Sequence, residues 1–437
     1  MSTKTSRRTF VKRSAAAATG IFVIPSIIPS SALGMGGRIA PSNRVVMGAI
    51  GTGSQGMSNM NDFLALKNSV QFVAVCDVDS SRLLKAKERV DSANKNSDCR
   101  TYGDYREFLE KEKLDAVSIA LPDHWHGIIY TEAVNHKLNV YGEKPICRTI
   151  SDGQTIVAAV KKNNIIWQTG CWQRSQAHFR KGAELALNGR AGKIKYIEVG
   201  LPDGGRGIGT PPVMDVPPEL NWEMWLGPAP KVPYRGVVHW NWRWILDYSG
   251  GQMTDWAGHH IDIANWGAGL EYTGPVEISG KGVYPPEGIY NAPVEYDFLC
   301  KYENGIEMRV ANSSRLKMGM GTTWYGDLGW IHTDRGNRLT ASDPKILEEV
   351  IGENETHLYV SENHWQNFVD SVKTGKPNIA PIEPAYRAIS VGLLGEIAMT
   401  TGETIRWDPV KEEIIGNPRA SRLLSRPYRK PWELPTI

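Results

Sequence analysis

Apolar residues run almost without a break from Val45 to Ile50 and again from Val70 to Val75. Runs of this length, apolar at both alternating sets of positions, predict strands of a parallel sheet covered on both faces. Between them Met57, Met60 and Leu64 recur at helical spacing. Downstream, Asp115 to His126 reads as a strand entering a loop, and Leu138 to Ile146 as a second strand. Asn164 to Arg174 reads as a third strand with its exit. Strands alternating with helical stretches predict an α/β fold with a doubly wound parallel sheet. Further on, the spacing around Asp255, His259 and Asp262 predicts a helix, preceded by the aromatic stretch His239 to Tyr248. Long Pro- and Gly-rich loops, Leu201 to Gly236 and Gly280 to Pro293, are expected to wall a pocket or meet a partner subunit.

With 437 residues the chain is long enough for two domains with substantial cores. The first residues form a separate unit. Ser6-Arg7-Arg8-Thr9-Phe10-Val11-Lys12 precedes an apolar run from Ala15 to Ile28 that Gly20 and Pro25 interrupt, and Ser30 to Gly34 are mostly small. This form is an export leader with a twin-arginine signature rather than a membrane span. The expected organisation is a signal over 1–34, a linker over 35–42, a nucleotide-binding domain over 43–165 and a second domain over 166–437. The expected location is the periplasm or another site outside the cytoplasm. The formal charge is +3, but the leader holds five of the basic side chains and no acidic one. The remainder is close to neutral, which gives it no general attraction for nucleic acid or anionic lipid. Five scattered cysteines form neither a disulfide framework nor a zinc spacing.

The first apolar run ends in Gly51-Thr52-Gly53-Ser54-Gln55-Gly56, a G-x-G-x-x-G between a strand and a helix. The glycines allow a tight turn, close approach to a pyrophosphate and close helix–strand packing, with the anion at the helix N-terminus. The second run ends in Cys76-Asp77, and Asp77 follows Gly56 at the distance expected of a ribose-binding carboxylate. It would repel a 2′-phosphate, so NAD is favoured over NADP; Arg82 is the nearby cation that could blur this. Ligands in such sheets lie beyond the carboxyl ends of the strands, which gathers Leu121, Pro122, Asp123, His124, Trp125, His126, Glu143, Lys144 and Gln173 around one crevice.

These motifs, with Cys76-Asp-Val-Asp79, Leu121-Pro-Asp-His-Trp-His126, Gly142-Glu-Lys-Pro145 and Gly250 to Asp262, resemble the glucose–fructose oxidoreductase, inositol dehydrogenase and MocA family. Gly192 to Val199 and the stretch His364 to Pro377 extend the resemblance over nearly the whole chain after the leader. Leu121 stands where the family more often has Thr. The resemblance implies a Rossmann domain followed by an α/β domain with an open, mostly antiparallel sheet. It also implies a sugar or cyclitol substrate held between the domains, over the nicotinamide. An open sheet face usually needs cover, so a homodimer or homotetramer is expected.

Oxidising a secondary alcohol needs a base, a donor for the developing alkoxide and a held carbon. Lys144, stiffened by Pro145 in a candidate cis bond, is expected to hold the reacting oxygen, with Glu143 beside it. Asp255 and His259 lie i, i+4 on the expected helix, so Asp255 is expected to orient His259 as the base and to touch substrate. His260 points away from that face, and Asp262 lies near it. This assignment matches the family's aspartate–histidine pair. A metal could use Asp255, His259, Asp262, His124 and His126, but nothing in the spacing demands one, and none is expected. Trp240, Trp242 and Trp244 would share a face in an extended segment and, with Arg243, would suit a pyranose; a packed tryptophan cluster is the alternative. Arg174 is a further substrate candidate.

The expected function is an exported NAD-dependent oxidoreductase of sugars or glycosides that carries and recycles its own cofactor, because free NAD is scarce outside the cytoplasm. A redox-assisted glycosidase or lyase, working through a keto sugar with His124 or His126 as extra base, is the alternative. A non-catalytic sugar- or NAD-binding protein is a third reading.

Overall fold

A computed structural model describes residues 43–237 and 240–437. The export leader expected over 1–34 lies outside the described residues. From Val45 onward the chain forms one compact unit built on two sheets.

The first sheet holds β1 (Val45–Ile50), β2 (Val70–Cys76), β3 (Arg100–Tyr102), β4 (Ala116–Ile119), β5 (Asn139–Gly142) and β6 (Trp167–Thr169). Their order is β3-β2-β1-β4-β5-β6, parallel throughout. This is the doubly wound arrangement that the apolar runs predict. The chain reverses direction across the sheet between β1 and β4, the switch point where such folds bind ligands. β3 escaped the apolar pattern because it is a three-residue edge strand with Arg100 and Thr101 exposed.

β6 falls past the domain boundary expected at residue 165. Asn164 ends the Ile150–Asn163 helix in the left-handed conformation (φ 51°), and the chain turns back to pair with β5. A distant segment also completes this domain. Phe368 and Val369, on the His364–Thr374 helix, share a core with Phe63, Phe72 and Tyr141. The Phe368 ring lies 5.9 Å from Phe63 and 5.8 Å from Tyr141, both edge-on.

The second sheet takes β7 (Ile194–Leu201), β8 (Glu277–Val283), β9 (Glu295–Lys301), β10 (Glu307–Asn312), β11 (Gly321–Gly326), β12 (Trp330–Asp334), β13 (Arg338–Ala341), β14 (Ile405–Asp408) and β15 (Glu413–Ile414). The order is β13-β12-β11-β7-β10-β9-β8-β14-β15. Every pairing is antiparallel except β7 with β10. β8 thus absorbs the start of the loop expected over Gly280 to Pro293. Helices Ala177–Leu187, Gly251–Ala268 and Ile382–Thr401 pack beside this sheet and share its core. The opposite face is laced with charge: Arg309 forks onto Asp297, and Tyr325 donates to Glu198. All five cysteines are buried and free, as their spacing suggests. Among the described residues no helix is long and apolar enough to cross a membrane.

Candidate active site

β1 delivers the chain into the glycine turn. Gly51 adopts φ +82°, and a Cβ there would stand 2.1 Å from the Ala120 carbonyl oxygen. A Cβ on Gly56 would stand 2.0 Å from the Gly51 oxygen. Only glycine fits either place, so the turn hugs β4 and the helix hugs the turn. The Ser54–Ala65 helix then begins with no side-chain cap and no acidic residue in its first turn. Its leading N–H groups remain available to an anion.

Asp77 stands at the carboxyl end of β2. Its Oδ2 accepts from the Thr52 backbone N (2.7 Å) and Oγ1 (2.9 Å), and its Oδ1 accepts from the Asp79 N (2.9 Å). Thr52 is therefore turned toward Asp77, while Gly51, Gly53, Ser54, Gln55 and Gly56 line the cleft itself. Burial pushes the Asp77 carboxyl up, against these hydrogen bonds and the Arg82 charge.

The cleft continues past Leu121, Pro122, Asp123 and Trp125 to Glu143 and Lys144. It encloses about 1150 Å³, open mouth included. Gln55 Nε2 donates to Asn59 Oδ1 (3.0 Å), and Asn59 Nδ2 donates to Glu143 Oε1 (2.8 Å), so a hydrogen-bonded chain ties the glycine turn to the far end. Burial raises the Glu143 carboxyl. The Lys144–Pro145 peptide is cis.

The Gly251–Ala268 helix brings Asp255 to this point, but not as the orienter of His259. Lys144 Nζ donates to Asp255 Oδ1 at 2.8 Å, and Arg243 Nε approaches the same oxygen at 3.5 Å. Burial alone would raise the Asp255 carboxyl; Lys144 and Arg243 hold it below its ordinary range. The spacing on the helix is as expected, yet two cations outbid a neutral ring for one carboxylate. His259 is buried, makes no hydrogen bond among the described residues, and packs edge-on against Trp256. Burial, and then the Lys144 and Arg335 charges, drive its imidazole well below its ordinary value. It is held neutral, the form that accepts a proton.

Other expected site residues have structural places. Arg174 is buried, forks onto Asp262 through two 2.7 Å bonds, reaches Glu271 at 2.7 Å and covers Trp266. With every donor group committed, it is not a substrate residue. Asp262 is thereby drawn away from His259. His124 Nε2 lies 3.1 Å from the Trp225 carbonyl, and burial pushes the ring down to about 3. His126 sits between the carbonyls of Pro145 (2.6 Å) and Leu121 (3.0 Å) and is pushed down to about 4. Neither histidine lines the cleft; they fix the loops that do. Gln173 is buried, with Oε1 accepting from Arg335 and Nε2 lying 3.4 Å from His260 Nδ1. It is one layer back from the cleft rather than in it.

The aromatic stretch is not extended. Asn241–Trp244 winds into a 3₁₀ turn, whose period separates residues two apart. Trp242 lines the cleft, Trp244 stacks on Tyr290, and Trp240 is 54% exposed. Arg243 is clasped between Trp240 and Trp242, 4.1 and 4.5 Å from their ring centres.

Two further parts of the cleft follow expectations made without naming a chemical role: the loop from Leu201 was expected to wall a pocket, and Asp123 to stand at the crevice. Leu220, Met224 and Trp225, inside the long loop from Leu201, line its mouth. Backbone bonds from Ser80 N to Glu219 O and from Asn221 N to Val78 O seal this segment onto the end of β2. Asp123 also lines the cleft; it is buried, accepts from Ser249 Oγ (2.5 Å), and burial pushes its carboxyl up to about 7. Its place in the Leu121–His126 motif was the one available signal.

Two family profiles match this architecture. Residues 45–171 match an oxidoreductase family's NAD-binding Rossmann fold, and residues 206–434 match the same family's C-terminal alpha/beta domain. The chain belongs to the glucose–fructose oxidoreductase, inositol dehydrogenase and MocA family. It is an NAD-binding oxidoreductase of that family, and the glycine cradle and fastened Asp77 fit the dinucleotide. Myo-inositol 2-dehydrogenase of Thermotoga maritima is 21% identical over 383 residues, 85% of this chain and 99% of that protein. A glycosyl hydrolase family 109 protein of Shewanella baltica is 26% identical over 196 residues, 42% of each chain. The fold is similar to the WlbA dehydrogenase of Bordetella pertussis, solved with NADH and UDP-GlcNAcA (TM-score 0.61, 15% identity, 84% of this chain and 99% of that one). It is also similar to the aldose-aldose oxidoreductase of Caulobacter crescentus (TM-score 0.60, 15% identity, 83% and 99%).

Proposed function

We propose that this oxidoreductase removes the elements of hydrogen from a secondary hydroxyl of a sugar or glycoside, outside the cytoplasm, and retains its NAD between turnovers. The carrying observation is the Lys144–Asp255 pair at the end of the glycine cradle, beside an uncharged His259. Bound NAD supplies the acceptor for the hydrogen that leaves carbon. Lys144 Nζ holds the reacting oxygen, and Asp255 keeps that ammonium in place. The His259 imidazole takes the hydroxyl proton. Trp242 and Arg243 edge the sugar.

Retention is supported by the Leu220–Trp225 segment, which walls the Asp77 end of the cleft. Export is supported by the twin-arginine signature, whose route carries folded, cofactor-loaded proteins. A retained cofactor must be reset in the site, so one sugar would be oxidised and a second carbonyl reduced in turn. A dimer or tetramer covering the open sheet face belongs to the same reading.

The test is to purify the protein without added nucleotide, denature it and identify what is released by mass spectrometry. Near-stoichiometric NAD or NADH is expected. An empty protein that binds added NAD weakly overturns retention.

A redox-assisted glycosidase draws support from Asp123, a cleft carboxyl held near neutrality that could serve as the extra base now that His124 and His126 are tied to backbone carbonyls. Release of aglycone with no net redox change would separate it from the leading reading.

A further inference from the structure

Arg335 stands in the turn between β12 and β13, and no sequence motif marks it. Its guanidinium lies 4.7 Å from the Trp172 ring centre and 4.3 Å from that of Trp256. Nε donates to Gln173 Oε1 at 3.0 Å. Two indoles and one amide therefore fix its plane and its stem. Its two terminal nitrogens are uncommitted: among the described residues the Arg335 guanidinium forms no ion pair, and Nε carries its one side-chain hydrogen bond. Other half-buried or buried arginines here, Arg148, Arg174 and Arg309, each fork onto a carboxylate.

A guanidinium withdrawn from water without a partner is costly to the fold. Burial lowers its hold on the proton, and the field of Asp255 acts against that loss. Its charge in turn reaches His259, on the same helix as Trp256. Asp255 and Asp334 lend it only their fields, without an ion pair. Lys144 and Arg243 already share Asp255, Asp123 is pushed up to about 7, and burial raises Glu143. Arg335 is not itself among the residues that line the cleft; it reaches the Lys144–Asp255 end through its field on Asp255 and through Trp256, the next residue in the chain, and its planar, aromatic-clamped fork is left open.

Resting on the oxidoreductase reading above, we propose that the substrate is a sugar acid and that its carboxylate takes the two terminal nitrogens of Arg335. A guanidinium fork matches a carboxylate in two parallel hydrogen bonds, and flanking indoles strengthen such a pair by excluding water. A single uncommitted cation matches the single charge of a carboxylate better than the double charge of a phosphate.

The experiment uses the cofactor-loaded enzyme and matched probes that differ in one group: methyl hexopyranosides, the corresponding methyl hexopyranosiduronic acids and the corresponding 6-phosphates. Turnover is read by nicotinamide absorbance and binding by calorimetry. The acid is expected to exceed its neutral partner by about 100-fold in kcat/KM, the scale of a charge-assisted pair. In Arg335→Gln that ratio collapses toward one, through KM more than kcat, with NAD content retained. Arg335→Lys, which keeps the charge and loses the fork, recovers only part of the ratio. Equal use of acid and neutral sugar, preference for the phosphate, or an unchanged ratio in Arg335→Gln overturns the proposal. If no probe is oxidised, the oxidoreductase reading fails on its own. Calorimetry then still decides the site: tighter binding of the acid, lost in Arg335→Gln, upholds it, and equal binding overturns it.

Discussion

Lys144 Nζ lies 2.8 Å from Asp255 Oδ1, across 111 residues of sequence, and joins the end of β5 to the helix that packs beside the second sheet. Asp255 is buried, Lys144 is half-buried, and Arg243 edges the pair. Lys144→Ala would leave Asp255 with one weaker partner and the reacting oxygen with none. Turnover is expected to fall about 10²- to 10⁴-fold with NAD content retained. Stopped-flow reduction of the bound cofactor checks this, and a loss below tenfold removes Lys144 from the chemistry.

His259→Gln preserves size and polarity but offers no basic nitrogen. A loss of about 10²- to 10⁴-fold in kcat is expected if the imidazole accepts the hydroxyl proton. Rates measured from pH 6 to 10 should recover partly at high pH in the variant, where solvent takes over the proton. A variant with wild-type rates would return His259 to a packing role.

Gly51→Ala would force a Cβ into the Ala120 carbonyl at a positive φ. A destabilisation of more than about 1 kcal/mol and loss of bound dinucleotide are expected. Thermal unfolding and nucleotide content check the two effects separately.

Arg174→Met leaves Asp262 and Glu271 without their shared cation in the core. A cost of about 3–5 kcal/mol is expected for breaking a buried pair. In contrast to Arg335, the effect falls on urea midpoints and not on the preference between substrates. A selective change in KM for one sugar would restore Arg174 as a substrate residue.

His364 is buried, with Nε2 at 3.0 Å from the Thr169 carbonyl and Nδ1 at 2.8 Å from Ser175 Oγ, and burial pushes it down to about 4. Its folded value is lower than its unfolded value, so the unfolded chain binds the extra proton. Stability from this residue is full above about pH 6.5 and declines as pH falls toward 4, at about 1.4 kcal/mol per pH unit. His364→Gln is expected to flatten the stability–pH curve over that window by about one proton, as read by urea unfolding. An unchanged slope means His364 is protonated when folded.

The first sheet was legible because its central strands β1 and β2 are largely buried on both faces and wrote near-continuous apolar runs, whereas the exposed edge strand β3 wrote none. The glycine turn was legible because backbone geometry restricts those positions to glycine, and Asp77 because it stands where the second apolar run ends. The helix that carries Asp255 and His259 was legible from its spacing, but the partnership was not. Helical spacing says which side chains can meet, whereas charge decides which do, and Lys144 arrived from another domain. Arg174 and Arg335 show the same limit. Both are arginines with no local motif, and only the fold reveals that one is satisfied and the other open. The tryptophans misled because alternation marks a common face only in extended chain.

The His364–Thr374 helix closes the core of a sheet whose strands end nearly two hundred residues earlier. On a ribosome, the nucleotide domain therefore cannot reach its final packing while only its own strands have emerged. Phe63, Phe72 and Tyr141 wait for Phe368, and the chain commits to its native state late in synthesis, nearly all of it already made. Vectorial assembly of this protein is thus governed from its C-terminal side. A translation stall upstream of residue 364 would leave an apolar patch exposed on an otherwise ordered sheet.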